Sequence, residues 1–211
     1  MSAVDAAPAD RAVYVDSYPV DIGSQRRELP LVPVSDSVAI SLLMTIDVPL
    51  SFVSTAGAEL AELLAPSEPE VIVTAATLGI PVASEVAKAL GHDEVVVLQK
   101  TPKIHLDDAL VEPLSSITTD GEQALRLDRR RAPAIVGRRV VFVDDVVATG
   151  GSVAAALRLI RLVGADVVAI GSILSEGDGW RDRLGDDADL VVSLGTIPVF
   201  EAVDGGWSPM P

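Results

Sequence analysis

Three short and almost wholly apolar runs constrain this 211-residue chain more than any other feature: EVIVTA (70–75), EVVVLQ (94–99) and RVVFVDD (139–145). Runs of this length without polar alternation suit strands buried on both faces. Such strands belong to parallel sheets covered by helices. The sequence between them supplies the helices. PVASEVAKAL (81–90) is stopped by Gly91, and residues 152–163 place Val153, Ala156, Leu157 and Ile160 on one face before Gly164. ADVVAIGSIL (165–174) and DLVVSL (189–194) read as further strands, with a short helix near 179–184 between them. The alternation from 70 to 194 predicts an α/β fold with a mainly parallel twisted sheet flanked by helices.

The flanking sequence is less regular. At this length a single domain is the default, burying roughly 70% of the surface its unfolded chain exposes. Residues 1–12 are rich in Ala, Asp and Pro and are expected to be mobile. LPLVPV (29–34) is a candidate short strand, and Ser35 or Asp36 a candidate cap for a helix reaching about residue 45. TAGAELAELLA (55–65) follows a helical period, with Thr55 as cap, Leu60, Leu63 and Leu64 on one face, and Pro66 and Pro69 ending it. Two short alternating strands are expected at 115–119 and 123–128, joined near Asp120 and Gly121.

Charge excludes several function classes. Sixteen basic against thirty-one acidic residues give a net charge of −15, which argues against a nucleic-acid partner. No stretch approaches the roughly 18 apolar residues of a membrane span. There is no cysteine, hence no disulfide or thiolate chemistry. The first 20 residues carry Asp5, Asp10 and Asp16 and no apolar block, so the expectation is a cytoplasmic protein with no membrane partner. Small anionic ligands remain compatible, because backbone amides bind phosphate locally. The chain has three lysines; Lys100 and Lys103 stand close together, with His105 two residues further on.

The segment richest in chemistry is RVVFVDDVVATGGS (139–152). A buried strand ends in Asp144 and Asp145. Ala148, Thr149, Gly150, Gly151 and Ser152 then lead into a helix. In an open parallel sheet, ligands bind at the carboxyl ends of the strands. Glycines there permit close approach, and the amides and hydroxyls of 149–152 are suited to wrap a phosphate at the helix N-terminus. Two carboxylates beside a phosphate cradle make sense if they accept hydrogen bonds from hydroxyls. A ribose 5-phosphate supplies both groups.

VVFVDDVVATGGS closely resembles the phosphoribosyl pyrophosphate (PRPP) binding motif of type I phosphoribosyltransferases. From about 40 to 200 the chain is similar to their purine branch, near the adenine and xanthine enzymes. VIVTAATLGIPVASEVAKALG, VVVLQKTPK, SSITTDGEQALRL and SILSEGDGWRDRLG all match segments of that family. The resemblance implies a single domain over 13–200, in which residues of about 13–35 form a small N-terminal hood over the base, followed by a tail at 201–211. It implies that Asp144 and Asp145 hold the ribose hydroxyls and Ala148 through Ser152 the 5-phosphate. Ala76, Thr77, Leu78 and Gly79 would form the pyrophosphate loop, with Lys100 on pyrophosphate. Val146 would touch the base, and a flexible loop of about 102–115 would close over the centre. Lys103 and His105 are candidates for pyrophosphate contact, His105 also for proton removal from the purine. Mg²⁺ carried mainly by PRPP and a homodimer follow from the same resemblance.

Two departures stand out. The pyrophosphate loop of the family usually carries polar or acidic side chains and often an arginine, where this chain has Ala76 and Leu78. Glu176 falls where the xanthine branch has a lysine facing the 6-oxo group; a carboxylate there favours a 6-amino base, hence adenine, whereas its bland reading is a solvated loop residue. The arginine run 129–131, together with Arg26 and Arg27, reads better as solvated or paired surface. The expected function is transfer of the phosphoribosyl group from PRPP to a purine. The alternative is a PRPP- or nucleotide-sensing regulator that keeps the phosphate loop and has lost transfer.

Overall fold

The computed structural model describes residues 12–114 and 123–210. In chain order the elements are β1 (Ser17–Ile22), β2 (Gln25–Pro33), β3 (Val38–Ser41), α1 (Leu50–Leu64), β4 (Val71–Ala75), α2 (Gly79–Ala89), β5 (Val95–Leu98), β6 (Leu110–Pro113), β7 (Ala124–Leu127), β8 (Arg139–Val147), α3 (Gly151–Leu162), β9 (Asp166–Glu176), α4 (Gly179–Leu184), β10 (Val191–Ile197), β11 (Phe200–Val203) and β12 (Gly206–Pro209).

The apolar runs form one parallel sheet in the order β10-β9-β8-β4-β5. All five residues of β4 are buried, as a central strand between two covered faces requires. Its side chains alternate between two cores. Val71, Val73 and Ala75 join Val140 and Phe142 of β8 under α3, α4 and β7. Ile72 joins Val141 and Val143 under α1 and α2. The period of two along each strand thus distributes a continuous apolar sequence to both faces. The chain runs outward from β4 to β5, then returns past β4 to β8 and continues to β9 and β10. This reversal opens a crevice at the carboxyl ends of β4 and β8, the place where open α/β sheets bind ligands.

A second, antiparallel sheet has the order β1-β2-β3-β11-β12, so strands from both ends of the chain build it together. Its small core is Leu31, Ala39 and Phe200, edged by Tyr14, Tyr18 and Trp207. The rings of Tyr14, Tyr18 and Phe200 meet edge to face at centroid separations of 5.0–6.1 Å. This sheet sits close on the parallel one. Gly23 N–H donates to the Leu194 carbonyl at 3.0 Å, and a methyl carbon on Gly195 would lie 2.4 Å from the Asp21 carbonyl oxygen.

Several expectations need correction. Ser35 and Asp36 start no helix; residues 38–41 form β3, held between β2 and β11. Alternating burial of Val38–Ser41 explains the strand, and two neighbouring strands outweigh the local capping signal. Helix α1 begins at Leu50 after Pro49, so Thr55 lies inside it rather than at its cap. Leu60 and Leu64 are buried there, whereas Leu63 is 49% exposed. Of the two short strands, the second is β7, but its partner is β6 at 110–113. Residues 115–119 lie outside the described residues. Among the described residues, no helix is long and apolar enough to cross a membrane.

Candidate functional site

Strands β4 and β8 bring two loops together at the crevice. Thr74 pairs with Val143, so the loop after β4 (Ala76, Thr77, Leu78) and the acid pair after Val143 emerge at the same edge. The Ala76–Thr77 peptide is cis. Gly79 opens α2 against Asp144: a methyl carbon there would lie 2.4 Å from Thr74 Oγ1 and 2.7 Å from Asp144 Oδ1. Only a glycine lets this helix start so close to the carboxylate. The N-cap residues Leu78 and Gly150 place no side-chain cap bond on the leading amides of α2 and α3. Gly150 precedes α3 with φ of 72°, a left-handed conformation that suits glycine. The Gly151 N–H reaches Thr149 Oγ1 at 3.4 Å.

Asp144 is 6% exposed and Asp145 is half-buried. The Asp145 N–H donates to Asp144 Oδ1 at 3.1 Å. Burial pushes the Asp144 carboxyl well above the usual carboxylate range, and the neighbouring Asp145 adds to the rise; Lys100 pulls the other way. Burial also raises Asp145, against the pull of hydrogen bonds and of Lys100. Lys100 is therefore close enough to act on both carboxyls.

Two cavities open along the loops that follow β4 and β8. The smaller, about 490 Å³, is lined by Ala76, Thr77, Leu78, Ile80, Gln99, Lys100, Thr101 and Lys103. It gathers the expected loop residues with both lysines. The larger, about 960 Å³, runs between Ala148 and Thr149 on one side and Tyr18, Val199, Pro209 and Met210 of the antiparallel sheet and its connection on the other. Glu176, at the end of β9, lines the same cleft, with burial pushing its carboxyl up to about 7. Ser152 lies in the first turn of α3, and Val146 is half-buried on β8 opposite Leu174. His105 falls in a short 3-10 turn, Ile104–Leu106; its side chain lies outside the described residues.

The walls are held from outside by residues the sequence did not single out. Thr45 Oγ1 donates to the Leu78 carbonyl at 2.5 Å, tying the loop after β4 to the segment before α1. Arg126 Nη1 donates to the Lys100 carbonyl at 2.8 Å, while its backbone exchanges two 2.9 Å hydrogen bonds with Gln99. Thr45 carries no local pattern, and its partner is 33 residues away. For Arg126 the scarcity of basic residues in this acidic chain was the one available signal. Tyr18, Arg183, Pro209 and Met210 reach the larger cleft only through the pairing of distant strands and the docking of α4.

Known proteins resemble this chain in sequence and fold. The sequence pattern of the phosphoribosyl transferase domain family matches residues 53–202. The adenine phosphoribosyltransferase of Rhodospirillum centenum is 36% identical over 137 residues, 64% of this chain and 76% of that protein. The purine biosynthesis transcriptional repressor PurR of Bacillus subtilis is 30% identical over 151 residues, 72% of this chain; the chain spans 52% of the repressor's length. The adenine phosphoribosyltransferase structure from Rhodothermus marinus superposes with a TM-score of 0.63 over 80% of this chain and 94% of that one, at 23% identity.

The burial of the acid pair carries a stability consequence. Asp144 titrates higher in the folded chain than in the unfolded one, so the folded state binds more protons. Stability then falls as pH rises from the ordinary value of 3.8 towards the raised one. Asp144→Asn removes this cost. Thermal melts should show the variant more stable than the wild type at pH 8, with the gap closing as pH approaches 4. Each kcal/mol relieved should raise the melting temperature by about 2–4 °C.

Proposed function

The chain belongs to the phosphoribosyl transferase domain family, and from that premise we infer that it moves the 5-phosphoribosyl group of PRPP onto a purine base, releasing pyrophosphate and a purine nucleoside monophosphate. The observation that carries this reading is the acid pair set against two cavities of unlike chemistry. One gathers both lysines and backbone loops. The other joins the apolar Ile197, Pro198, Val199 and Met210 to the half-buried carboxyl of Glu176, with Asp178 and Arg183 also in its lining. A substrate with pyrophosphate on one side of a ribose and a flat heterocycle on the other matches that division.

The roles follow from position. Asp144 and Asp145 accept hydrogen bonds from the ribose hydroxyls, which offset the cost of burying two like charges. The amides and hydroxyls of Ala148 through Ser152 bind the 5-phosphate at the start of α3. Ala76, Thr77, Leu78 and Gly79 present backbone to the pyrophosphate, and Lys100 and Lys103 supply the charge that stabilises it as it leaves. The larger cleft holds the base beside Glu176, and Val146, which packs on the core under α1 and α2, is a candidate for the base contact only through the family resemblance. The reaction breaks the C1–O bond to pyrophosphate and forms a bond from C1 to a purine ring nitrogen, whose proton must depart; His105 is a candidate acceptor. Holding both substrates in one water-poor cleft supplies orientation and limits hydrolysis.

The acid pair fits a Mg²⁺ ion held mainly by oxygens of the substrate. Two adjacent carboxyls offer few ligands, and no cluster of three or more potential metal-binding side chains exists among the described residues. Such an ion would share the negative charge of the departing pyrophosphate. A cytoplasmic enzyme agrees with the cysteine-free composition. A homodimer agrees with the apolar side chains exposed at and beside α1, where Ile46 is 54%, Leu50 87% and Leu63 49% exposed. A second reading, a ligand-sensing regulator, is favoured by Ala76 and Leu78 in the pyrophosphate loop and by the likeness to the repressor.

One assay separates the two. Protein, PRPP and Mg²⁺ are incubated with adenine, guanine, hypoxanthine or xanthine, and nucleotide is followed by chromatography. Transfer to adenine, lost in Asp144→Asn/Asp145→Asn, is expected; PRPP binding without transfer to any base establishes the regulator instead. The carboxyl of Glu176 adds a pH signature. As pH rises through about 7 it ionises and becomes a stronger acceptor for a 6-amino group. The KM for adenine should fall across that midpoint, and Glu176→Gln should flatten the profile.

A further inference from the structure

The larger cleft contains a charge that the phosphate loop does not itself supply. Its lining side chains include the acids Glu176 and Asp178, and among the described lining residues Arg183 is the basic one. Arg183 belongs to α4, which packs directly on the loop before α3. Trp180 anchors that short helix: it is 2% exposed, and its Nε1–H donates to the Gly177 carbonyl at 3.0 Å. A methyl carbon on Gly150 would lie 3.2 Å from the Trp180 carbonyl oxygen and 3.3 Å from both Cβ and Cγ of Arg183. The arginine stem therefore covers Gly150, in the middle of the Ala148–Ser152 loop. Its guanidinium carbon lies three bonds beyond Cγ, within reach of whatever that loop holds.

The electrostatics of the site make a cation useful here. The loop amides stand beside the buried Asp144 and the half-buried Asp145 in a chain of net charge −15. Lys100 and Lys103 line the other cavity. A phosphate at the loop would otherwise rely on partial charges alone. A guanidinium presents parallel N–H donors that match two phosphate oxygens, which an ammonium group does not.

We propose that Arg183 binds the 5-phosphate of the ribosyl substrate, closing over the Ala148–Ser152 loop from α4, while Lys100 serves the pyrophosphate end. The proposal rests on the phosphoribosyl reading of the site. It assigns the two ends of the substrate to cations from different elements, so the ends are separable by experiment.

Calorimetric titration with ribose 5-phosphate, and separately with inorganic pyrophosphate and Mg²⁺, tests it on the full chain. Arg183→Met keeps the stem over Gly150 and removes the charge. It should weaken ribose 5-phosphate by roughly ten- to a hundredfold and leave pyrophosphate within about twofold. Arg183→Lys should fall between, having charge without the fork. Lys100→Met should show the reverse pattern. Unchanged ribose 5-phosphate affinity in Arg183→Met and Arg183→Lys overturns the proposal, as does equal weakening of both ligands. If the wild type binds neither ligand, the phosphoribosyl reading falls and this proposal with it. If ribose 5-phosphate binds in an Arg183-dependent way but no base accepts the ribosyl group, the transfer reading fails and the assignment of Arg183 stands.

Discussion

Two adjacent carboxyls, one buried and one half-buried, stand at the end of a central strand, and much of the surrounding structure answers to that. Water would ordinarily carry the charge of Asp144 and Asp145. Here β9 flanks them and α2 begins against them, with Gly79 leaving no room for a side chain. Their raised titration is the cost of that placement, visible before any ligand arrives. A pair held this way waits for hydrogen-bond donors or a cation. The fold brings Lys100 and the N-termini of α2 and α3 to the same edge. Stability is given up at the point where binding is to be gained.

The pair also explains the division of labour among the elements. The parallel sheet supplies rigid strand ends, so the loops after β4 and β8 are positioned to within the tolerance of a hydrogen-bonded ladder. Thr45 and Arg126 then hold the Leu78 and Lys100 carbonyls from behind. This arrangement bears on the unusual Ala76 and Leu78. A loop whose side chains are apolar can still present backbone in a defined way if its carbonyls are gripped elsewhere. Among the described residues, the lining of neither cavity includes an acid or a lysine from the antiparallel sheet. That sheet builds the far wall of the larger cleft from Tyr18, Pro209 and Met210, contributed by strands near opposite ends of the chain.

The parallel core was legible because its strands are continuous apolar runs and its helices end at glycines, signals that are local and strong. The acid pair and the glycine loop could be grouped from the strand-end rule, whereas the lysines joined them only through the family resemblance; β4, β5 and β8 run parallel, so the segments after them leave the sheet at one edge. What was not legible is non-local. Residues 38–41 looked like a helix start because Ser35 and Asp36 are good caps, yet β2 and β11 claim them as a strand. Phe200 and Trp207 carry little meaning until β11 and β12 pair and bring their rings to Tyr14 and Tyr18. Arg183 had no role legible in the sequence, and its place over Gly150 comes from the docking of the short helix through Trp180.

The measurement that tests the central claim most directly is a carbon-13 NMR titration of the Asp144 and Asp145 carboxyls, with and without PRPP and Mg²⁺. The account predicts that Asp144 titrates well above the ordinary aspartate range in the free protein. On ligand binding both carboxyls should be ionised at neutral pH, because ribose hydroxyls and the metal ion relieve the burial. A pair that titrates near the ordinary value of 3.8 and does not respond to the ligand would contradict it.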